Sequence, residues 1–218
     1  MGTIPPTPAE PPPPAGPLLG LLSRGLELWL RQQCEAIERL DIQLQGSAAQ
    51  LVLGRLEGVR LLARRVVFRK LRFDRVELRS GPIQIRTGGL LRGQSLRLEQ
   101  PFALQGTVAF TGDDLGRSLA TPEWRSLADG LAEDILGLSP LSGLRIQEER
   151  LVLSATGAGS PTPVELATDV EAVDGRLELR SVDGGPVARL PMDPSIRIER
   201  AFLAAGLLQL EGEALVSP

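Results

Sequence analysis

The stretch PFALQGTVAFTGDDLGRSLATPEW, residues 101 to 124, changes its period halfway along. Phe102, Leu104, Gly106, Val108 and Phe110 alternate with Ala103, Gln105, Thr107 and Ala109, the pattern of an antiparallel strand with one buried face. From Thr111 the period becomes helical. Thr111 and Asp114 have capping-box spacing with Asp in place of Glu, and Leu115 and Leu119 lie four apart. Pro122 interrupts this short helix, and a longer one over residues 123 to 136 presents Trp124, Leu127, Leu131 and Ile135 at spacings of three or four.

On either side of this hinge the chain reads as strands. Upstream run LDIQLQG, SAAQLVLG, VRLLARRVVFRK, LRFDRVELRS, PIQIR and SLRLEQ, and the apolar phase flips at Asp74-Arg75, which predicts a bulge or bend. Downstream, LRIQ and RLVLSA meet at Glu148-Glu149, and PVELATDVEAV and RLELRSV meet at Asp174-Gly175, a hairpin signal. SIRIER and LLQLEGEALV follow. No strand–helix–strand alternation is present, so the pattern predicts an α+β fold on an antiparallel sheet.

Residues 18 to 39 place Leu18, Leu22, Leu26, Trp29, Leu30 and Ile37, with Leu40 just beyond, mostly three or four apart, which predicts a helix with an apolar face. That face either packs on a core or touches lipid. Residues 1 to 17 hold eight prolines and precede only a short apolar run. They read as an extended or disordered tail rather than a secretory signal. Arg24, Glu27 and Arg31 interrupt the one candidate for a membrane span. The organisation expected is a tail, 1–17, and a single domain, 18–218.

The chain has no His and no Tyr and a single Cys. This excludes Ser-His-Asp and Cys-His catalysis, His-ligated zinc and a disulfide within the chain. Carboxylate pairs at Asp113-Asp114, Glu133-Asp134 and Glu148-Glu149 are explained by a helix start, a helix surface and a hairpin tip. The glycine-rich run from Gly88 to Gly93 lacks the GK[ST] ending of a phosphate-binding loop and reads as a turn. No cofactor, metal or catalytic residue is expected.

Charge is segregated beneath a net value of −3. Residues 55 to 97 carry twelve basic and three acidic side chains, whereas residues 120 to 218 carry eight basic and sixteen acidic ones. The basic residues are interleaved with apolar ones, so they should line the outer face and rims of a sheet, where they attract phosphate. Phe68 and Phe73 fall in phase with core positions, and aromatic residues are only 3% of the chain, which argues against base stacking.

Three segments together resemble the LmeA-like phospholipid-binding family. They are Leu53-Gly54-Arg55-Leu56-Glu57-Gly58-Val59 leading to Arg64-Arg65-Val66-Val67-Phe68; Gly89-Leu90-Leu91-Arg92-Gly93-Gln94 with Leu96-Arg97-Leu98 and Pro101; and Thr111-Gly112-Asp113-Asp114-Leu115 with Ser118-Leu119-Ala120-Thr121-Pro122. In the third, Gly116 stands where the family pattern has Asn. The resemblance spans residues 18 to 216. It implies a curled antiparallel sheet wrapped around a long N-terminal helix, a tubular lipid-binding-like fold, and a lipid-binding role without catalysis.

The expectation is therefore a phospholipid-binding protein. Acyl chains would lie in an apolar groove lined by Leu22, Leu26, Trp29, Leu115, Leu119, Trp124 and Leu127. Arg64, Arg65, Arg69, Lys70 and Arg72 would meet phosphate headgroups or an anionic membrane surface. Burial of acyl methylenes, about 0.8 kcal/mol each, would supply affinity, and charge-assisted hydrogen bonds would orient the headgroup. A cytoplasmic protein, peripheral at a membrane, follows from the proline-rich start. The rival expectation is an interaction module that docks an acidic partner or nucleic acid on its basic sheet.

Overall fold

The computed structural model describes residues 17–84, 99–157 and 162–218. The proline-rich residues 1–16, the glycine-rich turn at 88–93, the strand expected over SLRLEQ, and Arg86, Arg92 and Arg97 lie largely or wholly outside them. Helix α1 (Pro17–Gln33) leads into strand β1 (Ala36–Gln45), and short helix α2 (Ala48–Val52) precedes β2 (Arg55–Leu56). Then come β3 (Gly58–Phe68), β4 (Leu71–Ser80), β5 (Ile83–Gln84), β6 (Phe102–Thr111), α3 (Gly112–Leu119) and α4 (Pro122–Leu136). The chain ends with β7 (Leu141–Gln147), β8 (Arg150–Ala155), β9 (Val164–Val173), β10 (Arg176–Ser181), β11 (Val187–Arg189), β12 (Ile196–Ala204) and β13 (Leu207–Val216).

The fold is α+β, with a leading helix followed by antiparallel sheets that do not close into barrels. A six-stranded sheet has the order β1-β3-β4-β6-β13-β12, a five-stranded sheet the order β11-β10-β9-β8-β7, and β2 pairs with β5. Residues that look across at each other on one face form rungs. Leu44, Val59, Ser80, Leu104, Ala214 and Ile196 make one such rung, and Ile42, Leu61, Leu78, Gly106, Gly212 and Ile198 make the next. One face of six strands is thus almost wholly apolar, because side chains at alternate positions share a face.

The phase flip expected at Asp74-Arg75 crosses three strands. Arg65 takes a left-handed φ of 52°, and the positions Glu38, Arg65 and Asp74 drop out of the pairing with no slip of register on either side. Beyond this rung the inward residues are Ile37, Val66 and Phe73 instead of the next in strict alternation. This corrects the helix expected over 18 to 39: α1 stops at Gln33, and Ile37 and Leu40 belong to β1. Their three-residue spacing comes from a bent strand, which imitates a helical step. SAAQLVLG is likewise not a strand. Its Ser47 and Gln50 form a reciprocal capping box that starts α2.

Four two-residue hairpins carry the positive φ pair that suits tight antiparallel turns: Arg69-Lys70, Glu148-Glu149, Asp174-Gly175 and Ala205-Gly206. The main core lies around α4. Leu131, Ala132 and Ile135 meet Leu151, Leu153, Leu177 and Leu179 of the five-stranded sheet and Phe110 and Leu208 of the six-stranded one. A second, smaller cluster at the far end joins Leu19 of α1, Leu51 of α2, Leu56 and Ile83, with Leu44, Val59 and Phe102 packed against it. Helix α1 runs along the free edge of β1, where Ser23 Oγ donates to the Ile42 carbonyl at 3.2 Å and Arg31 Nη1 to the Ile37 carbonyl at 3.1 Å. It satisfies edge carbonyls that would otherwise invite another strand.

Candidate functional site

The six-stranded sheet presents two unlike faces. On the apolar one, the two buried clusters lie at opposite ends; between them Ile42, Leu61, Leu78 and Leu104 remain half-buried, while Val108 and Leu210 pack against the main cluster and Ala63 and Ile198 are buried. Two glycines face each other in the middle of this band, Gly106 on β6 and Gly212 on β13. A Cβ on Gly106 would collide with the Leu78 side chain, and one on Gly212 with the Arg197 carbonyl, next to the register shift between Ile198 and Arg200. Both positions thus let neighbouring strands approach more closely than any side chain would allow.

The opposite face is basic along β1, β3 and β4. Arg39, Arg64 and Arg75 stand directly in register on three adjacent strands, and Arg60 faces Arg79 four residues away. Like charges placed opposite each other cost stability. Of these five, only Arg75 has an ion-pair partner among the described residues, Glu77 at 2.5 Å. The five-stranded sheet shows the contrary arrangement on its outer face, where Arg145 grips Glu165 through two bonds of 2.7 and 2.6 Å. Buried Glu178 accepts from both Arg180 and Arg189.

The structure divides the apolar residues expected to line a groove. Leu115, Leu119, Trp124 and Leu127 come together in or against the main core around α4, and Leu22 joins the second cluster. Leu26 is half-buried along α1, while Trp29 is 53% exposed. Trp124 Nε1 donates to the Arg69 carbonyl at 2.8 Å and so ties α4 to the β3–β4 hairpin. Leu119 also borders a pocket of about 340 Å³ with Asp113, Arg117, Arg125 and Ser142. The cations there are engaged, Arg117 with Asp113 and Arg125 with Asp129.

The basic residues divide as well. Arg64 lies in the outer arginine row, and Arg65 sits 3.7 Å from Asp74 at the bent rung. Arg69, Lys70 and Arg72 cluster at the hairpin end. The Arg69 guanidinium lies 5.4 Å from the centre of the Phe68 ring, and the Arg72 backbone N–H donates to Ser118 Oγ. Glu35, in the connection after α1, accepts from the Lys70 backbone N–H and pairs with its ammonium at 3.1 Å. The hydrogen bond from the Lys70 side chain holds the Glu35 carboxyl below the usual carboxylate range, with Arg72 adding to the effect. Beside it, burial pushes the Cys34 thiol up.

Sequence reading missed the apolar band itself, because Leu61, Leu78, Leu104 and Leu210 become neighbours only through register. Their period-2 alternation was the available signal. Arg39 was missed for the same reason. Among the described residues no His/Cys/Asp/Glu group is placed to hold a metal, and no helix is long and apolar enough to cross a membrane. No curated protein and no solved structure matches the chain. One family model does, over residues 15–210, and its description is LmeA-like phospholipid-binding. Covering both sheets, the helices and the bent rung, that match means that the chain belongs to the LmeA-like phospholipid-binding family.

Proposed function

We propose that the protein binds phospholipid without catalysis and holds acyl chains against the apolar band of the six-stranded sheet. The observation that carries this reading is the half-burial of Ile42, Leu61, Leu78 and Leu104 on one apolar face between two buried clusters. Six strands at about 4.8 Å apart span about 24 Å, a strip suited to an extended hydrocarbon chain. Each methylene removed from water contributes about 0.8 kcal/mol, and no reacting group is required. Leu22 and Leu26 border the strip on the α1 side. Leu115, Leu119, Trp124 and Leu127 support the opposite end from within the core.

Headgroup contact falls to the hairpin end. Arg69 and Arg72 make no ion pair within 4 Å among the described residues, and Lys70 pairs with Glu35 at 3.1 Å. Arg64 belongs to the other face of the sheet. Together with Arg39, Arg60 and Arg79 it serves attraction to an anionic membrane surface rather than orientation of a lipid already bound. A location at a membrane surface follows from this reading. The same unpaired arginines favour a second reading, in which an acidic partner docks on this face.

The test is lipid uptake by the full chain from vesicles of phosphatidylglycerol and phosphatidylcholine, read by native mass spectrometry. Wild type should acquire phospholipid in stoichiometric amount. Leu61→Glu and Ala214→Glu, which place a charge on the band without leaving a cavity, should lose it while still unfolding cooperatively. Uptake unchanged in both variants, or none by the wild type, would overturn the proposal. Hydrolysis of the lipid would remove the non-catalytic part of it.

A further inference from the structure

Helix α1 has more apolar surface than its place in the fold uses. At about 100° per residue, Leu22, Leu26 and Leu30 point towards the β1 edge, and all three are half-buried. Leu21 and Leu28 fall on the other side and are 66% and 61% exposed, and Trp29, 53% exposed, sits at the margin between the two sides. Gly25 lies between them with nothing within 4 Å of the Cβ it lacks, so the stripe is flat at its middle. Helix α2, which contacts α1, adds Val52 and the following Leu53, at 64% and 73% exposure. Of the eleven large apolar residues that are exposed among the described residues, five belong to this one corner.

The charges around the stripe are specific to one kind of surface. Arg24 and Arg31 flank it along α1, and Arg55 follows Leu53 by two residues. Arg24 and Arg55 are exposed and have no ion-pair partner among the described residues, and Glu27, the only acid on α1, turns to the half-buried side and holds Arg31 at 3.1 Å. An apolar stripe bordered by arginines, with a tryptophan at its margin, matches a bilayer interface. There leucines enter the acyl boundary, the indole sits at headgroup depth, and guanidinia meet phosphates.

We infer that the outer stripe of α1, with Val52 and Leu53, is the surface by which the protein inserts shallowly into an anionic phospholipid bilayer. The inference rests on the lipid-binding reading and deepens it. Helix α1 has one side towards the proposed acyl band and the other towards the membrane, so the docked helix forms the border that an acyl chain crosses.

Flotation of the full chain with vesicles tests this, using phosphatidylglycerol and phosphatidylcholine in equal parts beside pure phosphatidylcholine. Wild type should float with the anionic vesicles, and Trp29 emission should move to shorter wavelength, a shift absent from Trp29→Phe. Leu21→Glu with Leu28→Glu should lower partitioning by about tenfold or more per residue. Arg24→Gln should weaken binding to anionic vesicles and leave binding to phosphatidylcholine alone. A monomeric short-chain phosphatidylglycerol, offered without vesicles, separates the two ideas: the double variant should still bind it. If the wild type fails to bind it, the acyl site falls while the docking surface stands. Equal flotation of the double variant, an unmoved Trp29 emission, or a stripe that instead joins two copies of the chain in sedimentation would overturn the inference.

Discussion

The cluster around α4 and the apolar band of the six-stranded sheet are built from the same aliphatic residue types, yet only the first is sealed. Around α4, helix and two sheets converge and bring Leu153 and Ala132 to zero exposure. In the band, one sheet supplies apolar side chains from six strands, and Leu61, Leu78 and Leu104 stop at half-burial. On the proposed reading, the half-open stretch at Ile42, Leu61, Leu78 and Leu104 is what a lipid covers. The proposed function thus puts stability at α4 and binding at the band, and substitutions should separate the two.

The largest effect should come from the sealed side. Leu153→Ala should cost about 2–5 kcal/mol of unfolding free energy, read by urea denaturation, and should reduce lipid uptake only in proportion to the unfolded fraction. Leu61→Ala, on the half-buried side, should cost markedly less stability and more uptake. Equal ratios of the two losses in both variants would erase the distinction between the regions.

Next is the glycine pair. Gly106→Ala places a methyl group where the Leu78 side chain lies, and Gly212→Ala places one against the Arg197 carbonyl. Overpacking of this kind costs about 1–3 kcal/mol. Gly106→Ala should be the milder: the Leu78 side chain can move aside and the Glu77 carbonyl lies at 2.7 Å, whereas at Gly212 the new methyl meets the Arg197 carbonyl more closely still, with Ile198 Cα close behind. Melting curves of the two single variants check the order.

The clasp between α1 and the hairpin is smaller and pH-dependent. Because the folded Glu35 carboxyl is held below its ordinary range, its contribution is complete above the unfolded carboxylate pKa and disappears as pH falls through the depressed folded value. Wild type should exceed Glu35→Gln in stability at neutral pH, and the two should converge on acidification. A gap that persists in strong acid would show that the Lys70 contact is not the cause.

The smallest effect has an unusual sign. Arg64→Gln relieves repulsion from Arg39 and Arg75 across the rung, so stability should rise by a few tenths of a kcal/mol, while association with anionic vesicles falls. Denaturation and flotation on one sample check both directions.

Much of this architecture was legible in the sequence where the signal is local. Alternation along residues 102–110, the cap at Thr111, Pro122 at the start of α4 and the Asp174-Gly175 turn each depend on neighbours within a few positions. The errors also have local causes. Ile37 and Leu40 are three apart because β1 bends at Glu38, and a bend read from one strand looks like a helix. Trp29 shares its spacing with the inward residues of α1 but sits at the margin of the arc, where spacing no longer says which side is covered. What could not be read locally is register. That Arg39, Arg64 and Arg75 share a rung, or that Leu61, Leu78 and Leu104 share a band, is a property of pairing between segments far apart in the chain.

The most direct measurement is photo-crosslinking with a phospholipid that carries a diazirine near the end of one acyl chain, presented as monomers and mapped by peptide mass spectrometry. The account predicts label on β3, β4, β6 and β13 at the band residues, Leu61, Leu78, Leu104 and Leu210 among them, with little on the outer arginine face. Label confined to that face or to the 340 Å³ pocket beside Arg117 and Arg125 would contradict it.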